Sequence, residues 1–457
     1  MKLLPKLFIG LSALAFLGSC AKEEIKNVDF SKYNDDNPQT NTELDKWLQT
    51  TFLDEYNIDV VYRYNRFYHD LERNVTPPKL EAVRPVMESV LNGYLLPYRK
   101  VGGEDFIKKM APKEWILFGS YSYASDGTTY AGTASAGRRI NLYGVNSFNE
   151  YGAQLVIHHE FVHILNQLVN IPTDFESISK ADYKATWSST PADTARKYGF
   201  VTSYASGSYT EDYAETAAHL LVKGQAWYDR YANTSSAKGK AALKAKEANV
   251  ANYYTSNLKV DFRALQKEIQ NYLKTKANPS DLRFPQYVYR LFKKVSINPS
   301  SPTMTKYGLS TPFKTAFDKL VANMKANGYN IPSVDVRFIS DNQLVVRFPF
   351  VGNDGTTYYA DYLFSYTLST STGEIEIKKI DQPTVDEKDA GTNYANASIA
   401  WVKSTFDTSL LPYFNNKTFV ADWLRKDVDP VDYNNLGGFY EKDNSSNFWY
   451  GVLSQTL

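Results

Sequence analysis

The sequence predicts an α+β protein in two parts, a helix-rich domain over residues 44–296 and a smaller α+β domain with an antiparallel sheet over residues 304–457. Three observations lead there. Apolar residues run through 150–169 on nearly every side of a helical wheel, which marks a buried helix. Further helix-forming runs follow at 208–223 and, alanine-rich and charged, from 237 across much of the stretch to 274. Beyond residue 304, the segments 333–338, 343–350, 357–368 and 374–380 alternate or run in strand fashion between Asp, Asn and Gly turns. A chain of 457 residues also exceeds the usual size of one compact unit. Its 51 basic residues nearly cancel its 50 acidic ones, so there is no electrostatic reason to expect nucleic acid as a partner.

The N-terminus stands apart from the fold. MKLLPKLFIGLSALAFLGSC has a basic start, an apolar stretch from Leu7 to Leu17 and small residues before Cys20, the pattern of an export signal whose core is short for a membrane span. Leu17, Gly18, Ser19 and Cys20 resemble the lipobox of bacterial lipoproteins, which implies removal of residues 1–19 and acylation of the Cys20 thiol. Cys20 is the only cysteine, so no internal disulfide can form. Ala21, Lys22, Glu23 and Glu24 resemble the charged signal that sends Bacteroidetes-type lipoproteins to the outer cell surface, which implies a lipid anchor in the outer membrane. Residues 20–43 are polar and read as the tether.

Order is expected from Leu44, with a helix through Trp47 and Leu53, a strand within 57–64 and a helix over 80–95. Strands are expected at 114–121 and 138–143, separated by a Gly, Ser and Thr-rich loop or hairpin over 124–137. Ser147 and Glu150 have capping-box spacing ahead of the long apolar helix. Residues 297–303, INPSSPT, read as a linker. Thr311 and Pro312 then open a helix with Phe313, Phe317, Leu320 and Met324 as its apolar stripe and Gly328 as its stop. No internal repeat is visible, and no segment after the signal is long and apolar enough to cross a bilayer.

Within the apolar helix, QLVIHHEFVHILNQLV places His159, Glu160 and His163 in the pattern HExxH. Four residues turn a helix through slightly more than one revolution, so both imidazoles project from one face and can grip one tetrahedral ion. Glu160 lies beside that face, within reach of a metal-held water. Three of the five histidines fall here. His158 points about 100° away from His159, as a packing or outer-shell residue. Two ligands do not complete a zinc site, and the downstream helix offers Glu211 and Glu215 four residues apart. One can bind the metal while the other orients a ligating histidine. Either order is open, as is Asp212. His219 reads as a residue on a solvated helix face, with an outer-shell role as the alternative, and His69 has no motif around it.

These residues resemble the gluzincin metallopeptidases, in which a glutamate from a later helix completes an HExxH site. Tyr204, Glu211 and Glu215 are similarly spaced to the corresponding residues in the catalytic domain of anthrax lethal factor. The resemblance covers about 159–219, and a looser one to zinc metallopeptidase lipoproteins associated with nutrient import extends over about 44–275. It implies a zincin-like fold for the first domain, zinc as cofactor, Glu211 as third ligand, Glu215 behind the ligands and Tyr204 as donor to the oxyanion. The histidine that would complete a metzincin is absent, because position 169 is Val.

The expected function is therefore zinc-dependent hydrolysis, in which Glu160 takes a proton from the attacking water and returns it to the leaving amine. A peptide or protein would be the substrate, held by edge pairing with the strand at 138–143. The rival is a zinc-binding surface protein without catalysis, acting within a nutrient-import system. Residues 304–457 carry no catalytic motif.

Overall fold

The computed structural model describes residues 41–70, 72–125, 127–386 and 391–457. The signal segment, Cys20 and the tether up to residue 40 lie outside the described residues. The chain divides after Thr50 into two units, and of the first the structure describes residues 41–50. In the first, helix Glu43–Leu48 opens on a capping box, with the Thr42 hydroxyl accepting from the Asp45 amide and the Asp45 carboxylate accepting from the Thr42 amide.

The second unit begins with a mixed four-stranded sheet. Its strands are β1 (Asp59–Val61), β2 (Glu114–Leu117), β5 (Gly132–Ser135) and β6 (Arg139–Leu142), in the order β1-β2-β6-β5. Between them β3 (Ser122–Tyr123) and β4 (Thr129–Tyr130) form a small hairpin. β1, β2 and β6 are parallel, whereas β5 runs antiparallel along the edge. The strand expected to hold a peptide at 138–143 is thus interior, with both sides paired. The edge on that side belongs to β5, inside the stretch read as a loop or hairpin.

Helices cover this sheet and fill the unit as far as residue 276. Helix Leu80–Ser89 continues through a wider turn at Val90–Leu95 into helix Leu96–Gly102. The widening has an identifiable cause: Gln154 Nε2 donates to the Ser89 carbonyl at 2.9 Å, and a Cβ on Gly93 would lie 2.2 Å from that nitrogen. Glycine at 93 makes room for the amide. Helices Tyr209–Val222, Ala237–Asn252 and Phe262–Lys276 follow as expected.

The C-terminal part is an antiparallel barrel. β7 (Lys294–Ile297), β8 (Tyr329–Asn330), β9 (Val334–Phe338), β10 (Gln343–Gly352), β11 (Thr357–Leu368), β12 (Glu374–Lys379), β13 (Lys417–Trp423), β14 (Leu436–Glu441) and β15 (Asn444–Ser454) form one sheet in the order β11-β12-β13-β14-β15-β7-β9-β10-β8. Pairing of β10 with β11 closes it, leaving β8 on the far end of β10. The segment 297–303 is no linker between bodies: Ile297 ends β7, and Pro302 opens helix Pro302–Tyr307. Helix Thr311–Ala326 is capped by Ser310, and Phe313, Phe317, Leu320 and Met324 join the barrel core. In that core the rings of Phe439 and Trp449 stack at 3.9 Å. No described helix is long and apolar enough to cross a membrane.

Candidate metal centre

Helix Glu150–Leu168 carries the histidine motif. The capping box expected from Ser147 and Glu150 does not form. Asn149 is the cap instead, accepting from the Gly152 amide at 3.1 Å, while the Glu150 carboxylate accepts from the Ser89 and Tyr272 hydroxyls at 2.5 and 3.0 Å. Ile157, Phe161, Ile164 and Leu165 are fully buried, each burial contributing about 1.5–3 kcal/mol, so the helix is held rigidly. His158 is buried among the Tyr94 and Tyr98 rings, and burial pushes its pKa down to about 3. It is a neutral packing residue.

Helix Tyr209–Val222 crosses the motif helix and is capped by Ser208, whose hydroxyl accepts from the Glu211 amide at 3.2 Å. Consecutive carboxylates on it meet different neighbours. Asp212 points into the interior, 2.6 Å from the Lys246 ammonium, with both side chains fully buried. Asp212 also accepts from Tyr183 at 2.9 Å, and Lys246 donates to the Gly199 carbonyl at 2.7 Å. Burial raises the Asp212 pKa to about 6, with Lys246 opposing. This engagement removes Asp212 from the candidate ligands.

Glu211 points to the histidines. Its Oε2 lies 3.2 Å from His159 Nε2 and 3.2 Å from His163 Nε2, and the two nitrogens are 3.0 Å apart. Among the described residues these three form a group able to hold a metal. A tetrahedral zinc with ligands at 2.0–2.1 Å requires donor separations of about 3.3 Å, so the near-equilateral triangle fits. Charge fits as well: Glu160, Glu211 and Glu215 place three carboxylates around two imidazoles, an excess that a dication offsets. Burial works against the charge on Glu211, but hydrogen bonds with His159 and His163 outweigh it and hold the carboxyl well below its ordinary range.

Glu215 stands behind this triangle of donors. Its Oε1 is 2.8 Å from His159 Nδ1, an arrangement that leaves Nε2 facing the triangle, and its Oε2 accepts from the Thr202 hydroxyl at 2.7 Å. Against burial, His159, His219 and Thr202 pull its pKa down to about 2. His219 is not on a solvated face. It is 7% exposed, its Nδ1 bonds to the Glu215 carbonyl at 2.9 Å, and its ring lies on Trp227, because this helix is buried on nearly every side. His69 is half-buried and bonded to Tyr64 and Asp70, outside the site. Thr202 and Trp187 were not singled out by sequence reasoning, since neither belongs to a recognisable spacing.

The Tyr204 ring stacks at 5.9 Å on His159 and meets Trp187 edge-on at 4.8 Å. Burial and the neighbouring, hydrogen-bonded Glu211 raise its pKa, so the hydroxyl keeps its proton. Glu160 is buried beside the histidines, and burial raises its pKa while the two imidazoles oppose. Above it passes β5: a Cβ on Gly132 would lie 2.7 Å from Glu160 Oε1, so only glycine allows this approach. A cavity of about 660 Å³ along Gly132–Ala134 includes His159, Glu160, His163, Tyr204 and Glu211 in its walls. A second of about 440 Å³ shares Tyr130, Gly132, His159, Glu160 and Tyr204 with it.

Residues 37–263 match the family described as "Putative zinc-binding metallo-peptidase". No curated protein matches the chain. The crystal structure of a "putative zinc-binding metallo-peptidase" from Bacteroides caccae is 30% identical, covering 53% of this chain and 96% of that one, with a TM-score of 0.45. Identity at that level over almost the whole of a relative, together with a family match over 37–263 that takes in the triangle of donors, means that the chain belongs to this family of zinc-binding metallo-peptidases.

Proposed function

We propose that the protein is a catalytically active zinc hydrolase that cleaves peptide bonds, with His159, His163 and Glu211 as ligands. The observation that carries this reading is the convergence of three donor atoms within 3.0–3.2 Å on a cavity that also receives Glu160 and the protonated Tyr204. When bound, zinc supplies a Lewis acid that acidifies a water and polarises the scissile carbonyl. Glu160, buried and raised in pKa, accepts the proton of the attacking water and delivers it to the leaving amine. Tyr204 donates its hydroxyl proton in a hydrogen bond to the developing oxyanion, while Glu215 keeps His159 in the tautomer with Nε2 free. The free edge of β5 holds the substrate backbone as an added strand.

Replacement of Glu160 by Gln should leave zinc content unchanged and abolish cleavage of a broad peptide library. Cleavage at the wild-type rate would show that Glu160 is not the base. Zinc bound by wild type with no peptide, protein or glycopeptide cleaved would favour a non-catalytic binding role in nutrient import. The location belongs to the proposal too: the lipobox resemblance and the residues after Cys20 support a lipid anchor at the outer cell surface. Labelling of the wild-type chain but not Cys20→Ala with a fatty-acid analogue, and its release from intact cells by external protease, test this.

A further inference from the structure

A cavity of about 230 Å³ lies between helix Phe262–Lys276 and the segment that joins β13 to β14. The two are bonded together: Lys267 donates to Asp427 at 2.8 Å and to the Val428 carbonyl at 2.6 Å, and Asn434 donates to Gln270 at 3.3 Å. The helix contributes Lys267, Asn271 and Lys274 to the walls, at spacings that put side chains on one face. No residue of these walls lines either cavity at the metal centre.

The charges around this cavity do not balance. Lys267, Lys274 and Lys426 line it against Asp427 and Asp432. Lys267 pairs with Asp427, the exposed Lys426 donates to the Tyr307 carbonyl, and Asp432 accepts from the Tyr307 hydroxyl at 2.7 Å. Lys274 has no carboxylate partner among the described residues. Its ammonium donates to the Tyr433 hydroxyl at 2.8 Å and lies 4.6 Å from the centre of that ring. Asp422, the acid that acts on it electrostatically, is itself paired with Arg425 at 2.8 Å. Desolvation lowers the Lys274 pKa to about 8, so the charge is costly where it stands. A partly desolvated ammonium on a cavity wall, lacking a counter-charge, is stabilised by an anion that enters.

The remaining bonding capacity describes that anion. An ammonium has three donors, of which Tyr433 takes one. The Tyr433 hydroxyl accepts from Lys274 and keeps its own proton to donate, because desolvation raises its pKa. Two donors 2.8 Å apart suit the paired oxygens of a carboxylate. A dianion would find one unpaired ammonium and would face Asp427 and Asp432. Trp423, Leu424 and Leu436 form an apolar wall that suits a carbon body. At liquid density the cavity holds roughly seven waters, which limits the ligand to a small molecule. We propose that this cavity binds a small organic monocarboxylate, whose oxygens meet the Lys274 ammonium and the Tyr433 hydroxyl and whose carbon body lies against Trp423, Leu424 and Leu436. The site is independent of the peptidase reading. A free acid and the C-terminal carboxylate of a peptide present the same group to Lys274.

The test is isothermal titration calorimetry of the zinc-loaded full chain at pH 7 with lactate, benzoate, glucuronate and N-acetyl-alanine, the last standing for a peptide C-terminus. The amide of each acid, chloride and inorganic phosphate are the controls. At least one acid should bind with a Kd below about 5 mM, and its amide at least about fivefold more weakly. Lys274→Gln should weaken the best acid at least about fivefold, with zinc content and circular dichroism establishing that the variant folds. Independently of any variant, wild-type affinity at pH 9.5, above the Lys274 pKa, should fall at least about fivefold from its value at pH 7. N-acetyl-alanine binding tightest assigns peptide C-termini as the source, and any other acid binding tightest assigns free acids. No acid reaching 5 mM, a smaller loss in Lys274→Gln or at pH 9.5, or chloride or phosphate binding as tightly as the best acid overturns the inference.

Discussion

Replacing Lys246 by Met probes what holds the glutamate helix in register. Both members of the Asp212–Lys246 pair are fully buried at 2.6 Å, on helices Tyr209–Val222 and Ala237–Asn252. Met keeps the aliphatic stem and deletes the ammonium, so Asp212 retains only the hydroxyls of Tyr183 at 2.9 Å and Thr216 at 3.4 Å. Breaking one side of a buried pair leaves an uncompensated carboxyl and costs about 3–5 kcal/mol. Removing both charges, in Asp212→Leu with Lys246→Met, should recover about 2 kcal/mol or more of that loss. Urea unfolding of the zinc-free protein measures both. Because Glu211 is the preceding residue, zinc affinity, read by competition with a chelating dye, should fall about tenfold in the single variant, a loss typical of disturbed support behind a ligand. A single variant that loses less than about 1 kcal/mol, or a double variant whose loss equals the sum of the singles, would refute the view that this pair is a coupled, buried brace.

Three further outcomes follow from particular contacts. Gly132→Ala places a methyl 2.7 Å from Glu160 Oε1 and should lower kcat about 10–100-fold at unchanged zinc stoichiometry, read by steady-state kinetics and metal analysis. Glu215→Gln removes the carboxylate 2.8 Å from His159 Nδ1 and should weaken zinc binding about 10–100-fold, more than it alters the unfolding midpoint of the zinc-free protein. Lys274, half-buried near Trp423 and bonded to the Tyr433 hydroxyl, has its pKa lowered by desolvation to about 8. Between pH 8 and the ordinary lysine range the unfolded chain binds the extra proton, so stability rises with pH there. The advantage of Lys274→Met over wild type should therefore shrink by about 2 kcal/mol from pH 8 to pH 10.5, as urea unfolding at each pH would show.

How much of the fold was legible depended on how local its causes are. β9 to β12 were visible because alternation such as that of Gln343–Gly352 reflects one buried and one half-buried face over many residues. β14 and β15 were not, since Gly437, Gly438 and Gly451 depress strand propensity. Their reason is tertiary. A Cβ on Gly437 would lie 2.5 Å from the Phe284 ring, and one on Gly451 would lie 2.4 Å from the Ser296 carbonyl. Closure of the barrel, not local preference, makes those residues strands. β5 escaped for the same reason: GTAS is small because the strand passes over Glu160 and Val156, and smallness reads as loop when the neighbour is unknown.

The site divides along the same line. His159, Glu160 and His163 lie within one helix, where spacing dictates geometry, so their convergence could be read directly. Nothing local distinguishes Glu211, Asp212 and Glu215, three carboxylates within five residues of a later helix. What separates them is the partner each meets: two imidazole nitrogens at 3.2 Å for Glu211, the Lys246 ammonium for Asp212, and His159 Nδ1 with Thr202 for Glu215. Helical geometry puts Glu211 and Glu215 on one face and turns Asp212 about 100° away, toward the helix that supplies Lys246. A carboxylate joins the triangle of donors, braces a helix or fixes a tautomer according to what faces it across a helix interface. That information resides in Lys246, Thr202 and Gly199, residues that carry no metal-binding pattern of their own.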